Sequence, residues 1–537
     1  MTTVLTINPN AAYQGYQGDH PWVLEAETLP ILPVSVLDPV TTQARERVRA
    51  ALLSSDGDDW DNVRVQITPT SVPRGSWVDL AMAAALLVER GRTGGLRPLL
   101  RVDGREYREV AVPFGGSPTG GVVVAGELGL DGYVRPVRGL LAGLYAARDA
   151  GVSAAIVPAT QLDEARLSGL DVIGVTTLKD LTRVLDGGPG ATQPTVTPES
   201  PAPWPTTLEL PETVADAVMV AAAGHHHLII QSPPDAYWWG VVGGTIARLL
   251  PPLTDDQGRE LAALHSLAGI PVHHIPTTPP CVVVPPAGSL ASIIGGGAIT
   301  AQPGALSRAH HGVLVFNDMG EHNPRVMECL RTPLDTHRIS LGRSTGVITY
   351  PADVLLVGTL RPCPCGQTPC TCTPMAIRRY MARIPGPVVD RIPLHLTVTQ
   401  NTPMTFLDMD HARDRVLAAR DRANHRGTFD TPYDFRRAYP WTPDVADRLN
   451  YLMAMGQLSA RGTDHVYAIA WTLADLDGAD KPTPTHVDRA IGFRSPTTPS
   501  AADPDNTTVA YTPTPGDELP PTPSTPPASR GGPGIIL

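Results

Sequence analysis

The chain has 537 residues, 42% of them apolar, and a formal net charge of −11. That length suits two to four domains with cores of their own, and the acidic balance excludes a generally basic nucleic-acid coat while leaving room for a local basic patch. The 57 prolines and 50 glycines exceed the usual combined share of about 12%, so some segments are expected to be linkers or tails.

The opening "MTTVLTINPN" lacks a basic stretch followed by an apolar one, so no signal peptide is evident. No run of about 18 uncharged apolar residues occurs, so no membrane-spanning helix is expected, and no membrane partner is expected. Six cysteines in so long a chain do not suggest a disulfide framework, and a cytoplasmic protein is the expectation.

The first segment, residues 1–188, alternates strand-like and helix-like stretches. "TTQARERVRAALLSS" carries Val48, Ala51 and Leu52 at helical spacing, "NVRVQITP" alternates as a strand, and "WVDLAMAAALLVERG" is an apolar helix. "GVVVAGELGLDGYVRPV" reads as two strands around an Asp131-Gly132 turn. "GLLAGLYAARDAG" follows as a helix and "AAIVPA" as a strand. Residues 189–207, rich in Pro and Thr, read as a linker. A second α/β segment spans 208–400, and a helical segment spans 401–494. The Thr/Pro-rich stretch 495–537 has too little apolar surface to offset chain entropy, so disorder is expected there. The fold class is α/β, multidomain.

Within the second segment, "GHHHLIIQSPPDAYWWGVVGG" begins as a strand at Leu228 and breaks at Pro233-Pro234, as a strand feeding a phosphate-binding loop does. Further on stand "HHGVLVFNDMGEHNPRVMECLRTPLD" and "RPCPCGQTPCTCTPMAIRRYMARIPGPVVDRIPLHLTV". Together these resemble the magnesium-chelatase-like AAA+ proteins of the ComM/YifB type. "GELGLDGYVRPVRGLLAGLYAARDAGV" is similar to that family's Lon-protease-like N-terminal domain, and "LSARGTDHVYAIAWTLADL" to its C-terminal lid helices. The resemblance covers roughly residues 20 to 494. It implies an AAA+ core, a helical lid and usually a hexameric ring. In transforming bacteria it implies ATP-driven branch migration of DNA.

The departures from that pattern are as informative as the resemblance. The family's Walker A glycines fall on Ser232, Asp235 and Tyr237, its lysine on Trp238 and its hydroxyl residue on Trp239. Such a loop needs glycines so that backbone N–H groups can face phosphate, a lysine for the β/γ charge, and a hydroxyl for Mg²⁺. None of these is present, and the chain's two lysines, Lys179 and Lys481, are far away in sequence. The Walker B pair reads Asn317-Asp318 where the family has Asp-Glu. The sensor position holds Arg361 instead of Asn, and a further pocket stretch reads Pro285-Pro286-Ala287.

Arg343, Arg391 and Arg461 match retained arginines of the family. Arg391 corresponds to a trans-acting finger and Arg461 to the nucleotide-sensing lid arginine, although structural ion pairs are the plainer expectation for them. A Lon-type peptidase needs a Ser–Lys pair. The serine position here falls on Trp77, beside Ser76, and the lysine's region has no lysine, so peptidase activity is not expected.

Cys363, Cys365, Cys370 and Cys372 form C-x-C-x4-C-x-C, a set of four thiolates that can hold zinc. Otherwise they form a reduced, turn-rich loop. Cys281 and Cys329 read as ordinary thiols. His225-His226-His227 reads as a strand-entry feature. Arg413, Arg415, Arg420, Arg422 and Arg426, interleaved with Asp410, Asp414 and Asp421, read as a solvated helix face, with DNA as the alternative partner.

Three functions follow. The first is a catalytically degenerate AAA+ scaffold or regulatory ring subunit, assembling with itself or with an intact relative and holding no ATP–Mg²⁺. The second is an ATP-dependent motor linked to DNA processing, and the third a DNA-binding module without ATPase activity. Trp238 and Trp239 are expected to pack as core.

Overall fold

A computed structural model describes residues 2–6, 22–28, 39–56, 63–68, 76–89, 100–102, 105–107, 122–191, 204–233, 238–297, 301–343, 346–367, 369–427 and 432–494. The expected tail, most of the expected linker, Asp235 and Tyr237 lie outside the described residues.

The N-terminal part is a six-stranded sheet. Its order is Asp171–Val175, Ala154–Pro158, Val122–Val124, Thr2–Thr6, Trp22–Thr28, Val63–Thr68. The first four strands are mutually parallel, Trp22–Thr28 runs antiparallel to both its neighbours, and Val63–Thr68 therefore runs with the first four. The apolar helix Asp79–Glu89 contributes Leu80 to Leu87, all buried, to the core beside it. A helix apolar on every side must be enclosed. The stretch around Asp131-Gly132 is more divided than its sequence suggests. Val122–Val124 joins the main sheet, while Glu127–Leu128 pairs with Val134–Arg135 across a turn in which Gly132 has φ 78°.

The second part is built on five parallel strands in the order Cys281–Val284, Gly312–Phe316, Val354–Leu360, Leu228–Gln231, Leu394–Thr397. Three of them, "LIIQ", "GVLVF" and "VLLVGTL", are buried along their whole length. Continuous apolar runs are what a parallel sheet covered on both faces requires. Numbered along the chain, the order is 5-1-4-3-2, a mixed α/β arrangement consistent with an AAA+-like fold. Strand Met404–Asp408 returns to pair with Thr207–Pro211, so residues past 400 still close the core.

Helices Met409–His425, Pro432–Ala438, Pro443–Ala454, Ala460–Asp477 and Pro484–Gly492 form the helical segment. Side-chain caps fix several of their starts. The Asp408 carboxylate accepts from the His411 amide at 2.9 Å, and the Ser459 hydroxyl from the Gly462 amide at 2.9 Å. The two α/β parts meet through Ser266, whose carbonyl accepts from the Gly139 amide (2.9 Å) and whose hydroxyl donates to the buried Glu164 carboxylate (2.5 Å).

Candidate functional site

In an open parallel sheet, ligands sit beyond the carboxyl ends of the strands, where the strand order reverses. Here that edge carries Ser232 after Leu228–Gln231, Asn317-Asp318 after Gly312–Phe316, and Arg361 after Val354–Leu360. The fold therefore brings together the residues aligned with Walker A, Walker B and the sensor.

Their contacts are not those of a phosphate cradle. The Ser232 amide donates to the Leu360 carbonyl at 3.0 Å and extends the sheet. The Trp239 indole N–H donates to the Ser232 hydroxyl at 2.6 Å, tying the two ends of the loop together. Trp238 is 4% exposed and belongs to the core shared with Ile230, Val242 and Val315. Trp239, half-buried, packs against the same core, so both tryptophans pack as the sequence suggests.

Asp318, at φ 51°, donates its amide to the Thr359 hydroxyl. Its carboxylate is held by Arg361, Nε to Oδ1 at 3.0 Å. Arg361 also reaches Glu321 at 2.7 Å, and Arg383 joins Glu321 at 3.3 Å. A carboxylate that would orient water is thus occupied by a guanidinium from the sensor position. Asn317 leaves its side-chain oxygen buried and, among the described residues, without a partner. The described residues supply no lysine here.

The retained arginines lie elsewhere. Arg391 donates to Asp335 at 2.9 Å and to the Pro387 carbonyl at 2.7 Å. Arg461 donates to the other oxygen of Asp335 at 3.0 Å and lies 3.8 Å from Asp390. Burial raises the Asp335 pKa, but the two guanidiniums outweigh it and hold the group below its ordinary value. Asp390 precedes strand Leu394–Thr397, so this cluster sits at the amino edge, away from Ser232. Among the described residues, neither arginine contacts Ser232, Trp238 or Trp239. The Arg343 side chain lies outside the described residues.

The four cysteines converge, their sulfurs all within 4.8 Å of one another. Cys363 and Cys365 are 3.3 Å apart, and Cys365 and Cys370 3.8 Å. Zinc–sulfur bonds of about 2.3 Å set tetrahedral S···S edges of about 3.8 Å, so the donor set fits zinc. The Gln367 and Thr371 amides lower the Cys365 thiol to about 6.

The arginines of Met409–His425 and its C-cap Arg426 are not a simple solvated face. Arg415, Arg422 and Arg426 bind the end of Ala460–Asp477, through the Leu476 and Asp475 carbonyls and the Asp475 carboxylate. Arg420 donates to the Ala222 carbonyl at 3.0 Å. Helical spacing could not reveal these partners, because they stand on other helices. The His triplet does serve strand entry. His225 adopts φ 53° as the helix cap, and His227 Nδ1 accepts from the Leu356 amide at 3.1 Å.

One cluster was not visible in the sequence. Glu260 lies 3.3 Å from His310 and 3.4 Å from His311, and these contacts draw its carboxyl down to about 2. His310 Nδ1 accepts from the Asp353 amide, so its proton sits on Nε2, facing Glu260. A neutral ring in that tautomer offers no lone pair to a metal at Nε2, although its N–H makes no hydrogen bond among the described residues.

The comparisons agree with this architecture. Residues 208–406 match the family "Magnesium chelatase, subunit ChlI", and residues 408–494 match "Magnesium chelatase, subunit ChlI C-terminal". The chain is 35% identical over 509 residues to the uncharacterized protein Rv2897c of Mycobacterium tuberculosis, covering 88% of this chain and 95% of that one. It is 27% identical to YifB of Escherichia coli, covering 85% and 90% of the two chains, and 25% identical to competence protein ComM of Haemophilus influenzae, covering 86% and 91%. The chain belongs to the magnesium-chelatase-like family that includes YifB and ComM. Among the described residues, no helix is long and apolar enough to cross a membrane.

Proposed function

We propose that this chain is a catalytically degenerate member of its family, acting as a scaffold or regulatory ring subunit. The observation that carries this reading is the Trp239–Ser232 hydrogen bond across the loop that would hold phosphate. The Arg361–Asp318 pair supports it at the Walker B position. Calorimetric titration with ATP–Mg²⁺ tests it, and no binding tighter than about 100 μM is expected, a threshold of about −5.5 kcal/mol. Tighter binding, or hydrolysis lost in Asp318→Ala, refutes it.

The unpartnered oxygen of Asn317 favours a second reading, an ATP-driven motor working on DNA, because that oxygen is free to meet a cation. The same titration separates the two. A DNA-binding role without hydrolysis has no comparable support, since four of the helix arginines are engaged within the chain.

Assembly does not require a live pocket, because apolar packing can drive it. The chain is expected to form concentration-dependent oligomers, or to join an intact relative and change that partner's ATPase rate. Sedimentation as a strict monomer, with no partner cross-linked in cells, defeats this part of the reading.

The Cys363–Cys372 loop is proposed as a zinc site. Protein purified without chelator is expected to carry about one zinc per chain, as a closed four-thiolate site does. Serine at Cys365 and Cys370 removes it. Metal-free protein with four freely titrating thiols sinks the assignment.

A further inference from the structure

At the amino edge of the five-stranded sheet, a cleft of about 920 Å³ opens between the end of helix Glu212–Gly224 and the helical segment. Small-molecule sites typically measure about 300–1,000 Å³. Phe435, Tyr467 and Trp471 form an aromatic part of its wall. The Phe435 ring centroid lies 5.1 Å from that of Tyr467 and 5.8 Å from that of Trp471.

Four arginines also line it: Arg420, Arg426, Arg436 and Arg461. Three have carboxylate partners. Arg426 pairs with Asp475, Arg436 with Asp464 at 2.6 Å, and Arg461 with Asp335 at 3.0 Å. Arg420 differs. It is half-buried, gives Nη1 to the Ala222 carbonyl at 3.0 Å, and has no carboxylate ion pair among the described residues. Asp353 acts on it only from beyond ion-pair distance.

The neighbouring imidazoles add no charge. Thr472 donates its hydroxyl to the Ala468 carbonyl at 3.0 Å, so it accepts from His226 Nε2 at 2.9 Å, and that ring fits the neutral Nε2–H form. A side chain on Gly224 would collide with His226 and Thr472, at 2.2 and 2.5 Å, so glycine lets this wall close up. His465 lines the cleft with a buried Nδ1 that has no partner among the described residues.

A guanidinium offers five N–H donors and keeps its charge. Held partly out of water without a counter-ion, it costs free energy that an incoming anion recovers. Tyr467 and Trp471 are 2% and 5% exposed, with Arg426 lying over the Trp471 ring, so Phe435, only partly buried, is the ring that presents apolar surface to the cleft. We propose that this cleft binds a small organic anion, with a carboxylate or phosphate on Arg420 and a planar ring against Phe435. The site lies at the opposite sheet edge from Ser232 and does not depend on the state of the phosphate loop.

The test is titration of the full chain with benzoate and phenyl phosphate. Acetate and inorganic phosphate serve as charge without a ring, and benzyl alcohol as a ring without charge. The ring-bearing anions are expected to bind about tenfold tighter than any control, and Arg420→Gln to weaken them about tenfold, the scale of one charge-assisted hydrogen bond. The preference between benzoate and phenyl phosphate identifies the head group. Benzyl alcohol binding equally well overturns the anion site, and acetate and phosphate binding equally well overturn the ring site. Failure of both ring anions overturns the whole proposal. These comparisons use the unaltered protein and decide the question even if Arg420→Gln loses its cooperative melt.

Discussion

Trp238→Ala is expected to destabilise the AAA+-like part by about 3–5 kcal/mol, the cost of emptying a buried indole from a packed core. Trp238 is 4% exposed and sits among Ile230, Val242, Ile246 and Val315. Glycine or lysine at this position would leave the helix Trp239–Leu249 without its first anchor against the sheet. The measurement is the denaturant midpoint, read at constant slope so that a change in the unfolded state is not mistaken for lost packing. Trp239→Phe provides the contrast. It keeps a ring against the core and loses only the hydrogen bond to Ser232, worth about 1 kcal/mol. Equal, small effects from both substitutions would mean that Trp238 faces outward and that the loop is a contact surface.

The second large effect is a loss of stability in mild acid. Burial lowers His226, His227 and His465 to about 3, and His225 and His395 to about 4. An unfolded histidine titrates near 6.5. Below that pH the unfolded chain binds protons that the folded chain refuses, so stability falls as pH drops and stops falling only near 3–4. Each such ring removes about 1.4 kcal/mol per pH unit. His226 and His395, the least exposed of the five, together remove about 3 kcal/mol between pH 6.5 and 5.

Two buried acids oppose this. Asp79 is raised to about 6, chiefly by burial, and Glu164 is raised for the same reason. A carboxyl whose folded pKa is raised favours the folded state as pH falls through that window. Both belong to the N-terminal part, whereas the five rings gather where the helical segment meets the amino edge of the sheet. Denaturant midpoints at pH 7 and pH 5 are expected to drop steeply for the AAA+-like part and much less for the N-terminal part. A midpoint unchanged between those pH values rules the mechanism out.

Much of this protein is legible in its sequence. The apolar runs "LIIQ", "GVLVF" and "VLLVGTL" specify strands buried on both faces, and the spacing in Asp79–Glu89 and Ala460–Asp477 specifies helices, because each pattern repeats within a few residues. The missing lysine and glycines after Leu228–Gln231 are likewise a local fact, as is the spacing of the four cysteines. Tertiary structure decided the partners. Arg361 clamps Asp318 across 43 positions, and Arg391 and Arg461 reach the same Asp335 across 56 and 126. Arg420 looked like one more charge on a solvated helix until the fold set it against the end of Glu212–Gly224, 198 residues away. Periodicity reports which face of an element is buried, while the charge that a guanidinium meets depends on which elements the sheet order and helix packing bring beside it.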